Sequence, residues 1–267
     1  MRVSISGGVH GNELLGIYLV KDLLRHRPSI DLDLDLFLAN PKAIEACRRY
    51  IDYDLNRSFG PIAAKEDRYE FERAKKIKNH LAKSDFLIDL HTTTANMGIS
   101  VILSSQDALS QNVAKILAAE FEEVRIVRWF GTEEGEFINS CVPSSITLEC
   151  GPVCQGLLDA RLYFQAKKVL LRALEILQKG QRADFELECY DIVEYVDFPR
   201  RDGELFGMIH PHLLGRDFSY LRQGDPIFVT FDHKEITSQK EGYAVFINEA
   251  AYYEKKIAFC LTKKDRI

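Results

Sequence analysis

A doubly wound α/β fold with a mostly parallel sheet, completed by a smaller C-terminal β domain, is predicted from three features of the chain. Short apolar runs alternate with longer segments of helical period through residues 1–182. The polar stretch Lys179-Gly180-Gln181-Arg182 then breaks that alternation. From Phe185 onward, short strand-like runs are separated by the turn signals Arg201-Asp202-Gly203 and Gln223-Gly224-Asp225-Pro226, with little helical period. The expected division is an α/β domain over residues 1–182 and a β domain over 183–267 that caps it.

In chain order, Val3-Ser4-Ile5-Ser6 reads as a strand, Gly7-Gly8 as a bend, and Glu13 to His26 as an amphipathic helix. Strands follow at Leu32 to Leu38, Asp85 to His91, Ile99 to Leu103, Val124 to Val127 and Ser145 to Cys150. Helical spacing fills the intervals at Ala63 to Leu81, Asp107 to Phe121 and Leu157 to Gln178. Strands separated by helices imply parallel pairing, and such sheets gather ligands outside the carboxyl ends of their strands. His10, His91 and Glu149 each fall at or just beyond a strand's C-terminal end, so three strands aim at one place.

The 267 residues fit one large or two modest domains, and 46% apolar content supports a real core. A net charge of -5 argues against nucleic acid and anionic membrane surfaces as partners. With no spanning-length apolar run and no apolar signal segment after Arg2-Val3-Ser4-Ile5, a cytoplasmic protein is expected. Six cysteines without a C-x-x-C pair are expected to be reduced thiols.

The segment His10-Gly11-Asn12-Glu13 followed by Asp89-Leu90-His91 offers two histidine nitrogens and one carboxylate. That set suits Zn²⁺, and three protein ligands leave a coordination position open for water, as a catalytic site requires. Asp89, on the same strand face as His91, reads equally as a carboxylate orienting that histidine or as a loop cap. Asn56-Arg57 places a planar fork of donors beside an amide, which suits a carboxylate; the competing reading is a loop arginine paired with Asp52 or Asp54. Glu149, after Ile146-Thr147-Leu148 and before Gly151-Pro152, is a carboxylate at a strand end that is costly to bury without a role. His210 and His212 flank Pro211 in a turn-like context and receive no role.

Five strings together resemble the aspartoacylases: Gly7 to Leu14, Asp52 to Arg57, Asp89 to Gly98, Glu149 to Pro152, and Asn248-Glu249-Ala250-Ala251-Tyr252-Tyr253-Glu254-Lys255-Lys256. The match runs nearly end to end. It implies the zinc-carboxypeptidase-like fold shared with succinylglutamate desuccinylases, with one Zn²⁺ per subunit on His10, Glu13 and His91. It further implies that Glu149 is general base and then general acid, and that Arg49 polarises the scissile carbonyl. Asn56, Arg57 and Tyr252 would hold the substrate carboxylate, while Arg48 is a solvated charge. The implied activity is zinc-dependent hydrolysis of a linear amide in a small-molecule N-acyl amino acid, foremost N-acetylaspartate. A homodimer is a candidate assembly.

Three alternatives stand beside that expectation. A succinylglutamate desuccinylase, or a deacylase of another N-acyl amino acid, would share the metal set; the former would need extra cations for its diacid. A peptide-trimming carboxypeptidase would need an open groove. A noncatalytic binding protein on the same fold should lack a ligand or the catalytic Glu, and none is missing here. The chain departs from the family at Asn139 and Gly135, where animal aspartoacylases carry an arginine for the second substrate carboxylate and a nearby tyrosine. No arginine lies between Arg128 and Arg161 to replace it, which leaves Arg128 or Lys255 as stand-ins.

Overall fold

The computed structural model describes residues 1–61, 67–130 and 136–267. In chain order the first part comprises β1 (Arg2–Gly7), α1 (Leu14–Arg25), β2 (Asp33–Leu38), α2 (Pro41–Ala46), α3 (Tyr69–Leu81), β3 (Phe86–Thr92), β4 (Gly98–Leu103), α4 (Ala108–Glu120), β5 (Val124–Arg128), β6 (Ser145–Gly151) and α5 (Ala160–Lys179). The second part is β7 (Glu188–Val196), β8 (Arg200–Arg201), β9 (Glu204–Leu205), β10 (Gly207–Ile209), β11 (Tyr220–Leu221), β12 (Pro226–Thr230), β13 (Glu235–Thr237), β14 (Gly242–Val245) and β15 (Phe259–Arg266).

A ten-stranded sheet in the order β11-β14-β15-β7-β5-β4-β6-β3-β1-β2 runs through both parts. It is parallel through β2-β1-β3-β6 and again through β4-β5-β7. An antiparallel seam joins β6 to β4. The seam follows from chain length: residues 93–97 alone link β3 to β4, too few for the crossover that parallel neighbours require. Strands β7, β15, β14 and β11 pair antiparallel and continue the same sheet. The predicted C-terminal β region is therefore built onto the edge of the main sheet, with β10-β12-β13 as a separate small sheet.

Helix periodicity explains how the sheet is covered. Leu15, Leu19, Val20 and Leu23 of α1 are buried with Val3 and Ile5 of β1, and Leu170, Ala173, Leu174 and Leu177 of α5 join the same core. Asp107 and Asp159 cap α4 and α5 by accepting from Ser110 N at 2.8 Å and Leu162 N at 2.7 Å. The latter cap sets the start of α5 at Ala160, so Leu157 and Leu158, predicted as helical, lie before it and are exposed. The predicted helix from Ala63 begins in 62–66, outside the described residues; the described part is α3, entered from an extended Arg68. The short α2 escaped the periodicity because six residues hold fewer than two turns. A second cluster, Met97, Val127, Trp129, Phe137, Tyr190, Phe246 and Ile257, packs across both parts of the chain. All six cysteines are free, and no helix among the described residues is long and apolar enough to cross a membrane.

Candidate functional site

The turn after β1 is shaped by two glycines. Gly8 has φ +71°, and a Cβ on Gly11 would lie 2.0 Å from the Ala43 carbonyl carbon, so the turn lies flat on α2. His10 and Glu13 project from this turn, and both are buried. Glu13 occupies the N-cap position of α1 yet caps nothing, because its carboxylate is engaged elsewhere. Its Oε1 lies 2.7 Å from His10 Nδ1, its Oε2 lies 3.0 Å from His91 Nδ1, and Thr92 N donates to Oε2 at 3.0 Å.

The opposite ring nitrogen of each histidine meets another carboxylate. His10 Nε2 lies 3.0 Å from Asp54 Oδ1, and His91 Nε2 lies 2.7 Å from Asp89 Oδ2. Asp89 is itself held by Ser6 Oγ, which donates to Oδ1 at 2.5 Å from the adjacent strand. Each Nε2 is thus occupied and both Nδ1 atoms turn toward Glu13. Ligand atoms of His10, Glu13 and His91 lie within 4.8 Å of one another. This donor set fits a divalent ion of the zinc type: two imidazoles, one carboxylate, and an outer carboxylate orienting each ring.

The charges are balanced locally. Burial alone would raise the Glu13 carboxyl, but His10 and His91 outweigh it and hold it far below the usual range. His91 goes the other way, raised well above the ordinary imidazole value by Asp89 and Glu13 despite burial. Asp54 is likewise held well below its ordinary value by His10, Arg49 and Arg57 against the effect of burial. Arg49 donates from Nε and Nη2 to Asp54 Oδ2 at 3.3 and 3.2 Å and from Nη1 to Glu13 Oε1 at 3.4 Å. Glu149 faces His91 directly in the β3–β6 register. Burial pushes its carboxyl up to about 8.

His10, Glu13, Arg49, Asn56, Arg57, His91, Glu149 and Tyr252 all line one cavity of about 650 Å³ counting its open mouth. The sequence-predicted residues are therefore brought together. Asn56 Oδ1 accepts from Ile138 N at 3.0 Å, which leaves its amide NH₂ as the donor, and Arg57 stacks 4.5 Å over the Phe137 ring. Tyr252 packs 5.4 Å from Phe246 and 6.2 Å from Trp129. Asn139 also lines the cavity, whereas Gly135 lies outside the described residues. The two suggested stand-in cations are elsewhere: Arg128 pairs with Asp191 and Asp265, and Lys255 is exposed away from the lining. His210 pairs with Glu235 at 3.4 Å and, like His212, does not line the cavity.

Three features escaped sequence reasoning. Asp54 is legible in the string Asp52-Tyr53-Asp54 only as a partner for Arg57, whereas in the structure it also binds His10 and Arg49. Glu249 is buried and accepts from the Thr93 hydroxyl, from Thr94 N at 2.6 Å, from Thr94 Oγ1 at 3.0 Å and from Ala251 N at 3.0 Å. It ties the Tyr252 segment to the loop that follows His91. The only local signal was an acid preceding Ala250-Ala251. An apolar wall of Ile102, Trp129, Phe137 and Phe246 completes the cavity from separate segments with no shared motif.

Comparison with known proteins agrees across the whole chain. Residues 1–177 match the succinylglutamate desuccinylase/aspartoacylase catalytic domain, and residues 185–264 match the AstE/AspA barrel-sandwich hybrid domain. The "Probable aspartoacylase" of Trichodesmium erythraeum is 41% identical, covering 100% of this chain and 98% of its own. A human N-acyl-aromatic-L-amino acid amidohydrolase (carboxylate-forming) is 37% identical over 98% of this chain and 90% of its own. The crystal structure of murine aminoacylase 3 superposes with a TM-score of 0.91 at 36% identity, covering 100% of this chain and 96% of that one. By sequence along its length and by fold, the chain belongs to the succinylglutamate desuccinylase/aspartoacylase family.

Proposed function

We propose that this chain hydrolyses the amide bond of N-acyl amino acids, releasing a carboxylate and a free amino acid. The observation that carries the reading is one cavity lined by a His-Glu-His ligand set, a partly buried glutamate and an Asn-Arg pair. Zn²⁺ held by His10, Glu13 and His91, one per subunit, would supply Lewis acidity and lower the pKa of water. Glu149 takes a proton from the attacking water and returns it to the leaving nitrogen as the C–N bond breaks. Arg49, oriented by Asp54, lies ready to stabilise negative charge on the acyl oxygen. Asn56, Arg57 and the Tyr252 hydroxyl donate to the amino-acid carboxylate and fix the register of the amide.

The lining favours amino acids with aromatic or uncharged side chains. Ile102, Trp129, Phe137 and Phe246 form apolar walls, and among the described lining residues the cations are Arg49 and Arg57 beside the two histidines. The similarity to a protein named for N-acyl-aromatic amino acids points the same way. A second reading, N-acetylaspartate as main substrate, draws support from the aspartoacylase relative. Residues 1–182 then carry the chemistry and 183–267 cap it, since Phe246, Glu249, Ala251 and Tyr252 line the cavity. We place the protein in the cytoplasm, acting on small molecules without nucleic acid or membrane as partner, and propose a homodimer. An assay of amine release from a panel of N-acyl amino acids tests the reading; no turnover of any zinc-loaded sample would sink it.

Two substitutions probe the substrate contacts. Arg57→Lys is expected to raise KM at least about tenfold, because a point charge cannot reproduce the planar fork. Equal losses of affinity for an N-acyl amino acid and its carboxamide would remove Arg57 from the carboxylate. Wild-type enzyme is expected to discriminate weakly between N-acetylaspartate and N-acetylasparagine, and Asn139→Arg to shift the ratio toward aspartate by about tenfold through a charge-assisted hydrogen bond. A wild-type preference for N-acetylaspartate above about 10³-fold would exceed what neutral contacts supply.

A further inference from the structure

Two residues of the cavity wall carry buried side-chain N–H groups with no partner among the described residues: Trp129 Nε1 and Asn139 Nδ2. Both residues are more than nine-tenths buried, at 6% and 7% exposure. Their orientations are set by neighbours. Thr147 Oγ1 donates to Asn139 Oδ1 at 3.2 Å, leaving the amide NH₂ as the unpaired end. The Trp129 indole is packed among Phe137, Phe246, Tyr195 and Tyr252, with ring centroids 5.8 to 6.2 Å away. Buried N–H groups are paired in nearly all native sites, so two unpaired ones on residues that line the same cavity point to an acceptor supplied by a ligand.

The surroundings narrow that acceptor. A carboxylate would accept both bonds, but it would be desolvated beside Ile102, Phe137 and Phe246 without a dedicated cation. A plain phenyl ring would fill the apolar walls and strand both donors. A neutral oxygen on an aromatic ring satisfies walls and donors together, and a phenolic proton finds acceptors in the Ser104 and Thr147 hydroxyls on the same lining.

We propose that Trp129 and Asn139 are paired specificity residues that read a neutral, hydrogen-bond-accepting oxygen on the substrate side chain. The substrate class is N-acyl amino acids whose aromatic ring carries such an oxygen, N-acyltyrosine being the representative. This rests on the amide-hydrolase reading above and adds to it which side chain is preferred.

The test compares kcat/KM of zinc-loaded wild-type protein for N-acetyltyrosine, N-acetylphenylalanine and N-acetyl-4-methylphenylalanine, the last having nearly the shape of tyrosine with no acceptor. We expect tyrosine to lead both others by about 10- to 100-fold. In the double variant Trp129→Phe, Asn139→Leu the tyrosine-to-phenylalanine ratio should fall to about one. Equal rates for the three substrates in the wild type overturn the proposal, as does a tyrosine preference that survives in the folded double variant. The wild-type comparison decides alone if that variant does not fold. Hydrolysis of none of the three, or of any other N-acyl amino acid, would instead overturn the underlying amide-hydrolase reading.

Discussion

Glu149→Gln is expected to lower turnover of a preferred N-acyl amino acid by about 10² to 10⁴-fold, the usual contribution of a positioned general acid–base group. The amide is nearly isosteric with the carboxyl and sits at the same strand end facing His91, so fold and zinc content should stay at wild-type levels. What it loses is basicity. Burial, with the Glu13 and Glu249 carboxylates nearby, pushes the Glu149 carboxyl up to about 8 against the pull of His91 and Arg49, so it holds a proton more readily than an ordinary glutamate. Amine release under saturating substrate, zinc by elemental analysis and thermal denaturation together make the measurement. Turnover within a few-fold of wild type in a folded, zinc-containing Gln variant would move the proton transfer to another residue.

Removal of the metal is the second large effect. Chelation is expected to abolish hydrolysis and Zn²⁺ to restore it, with about one ion per subunit in the active protein. His91→Ala leaves one histidine and one carboxylate and should lose both zinc and activity. Asp89→Asn removes only the charge that orients the His91 ring from 2.7 Å, so its cost should be smaller, about 10- to 100-fold in zinc affinity. That order distinguishes a ligand from its support. Full activity in protein with no metal by elemental analysis would defeat the assignment altogether, and an Asp89→Asn loss as severe as His91→Ala would make Asp89 more than a support.

The resemblance and the geometry converge on substrate contacts unevenly. The Asn-Arg pair is a local string, and its amide is turned by a single backbone contact from Ile138. The side-chain end of the cavity is different. The sequence shows Asn139 where an arginine is expected, which removes a charge without saying what replaces it. The structure supplies four apolar walls from β4, the end of β5, the segment before the Ile138–Cys141 turn and the strand end after β14. These walls are what the proposed preference for uncharged, aromatic side chains rests on, whereas the reading of N-acetylaspartate as substrate rests on the aspartoacylase relative.

The chain's local patterns were sufficient for the alternating strands and helices, the polar break after α5, and the His10–Glu13 turn. Each of these depends on residues within a few positions, where side-chain period and backbone preference act directly. Strand direction across the β6–β4 seam and the joining of the C-terminal strands to the main sheet depend on pairings between distant segments. The same holds for the supports of the site: Asp54 reaches His10 across 44 positions, and Glu249 reaches Thr94 across 155. A sequence lists such groups but does not state their distances. By itself it determined the candidate ligand residues, the family's motif residues and the secondary-structure order. Only the tertiary structure decided which carboxylates orient the histidines, what lines the side-chain pocket and which donors there lack partners, because those properties arise when separate segments exclude water from a common space.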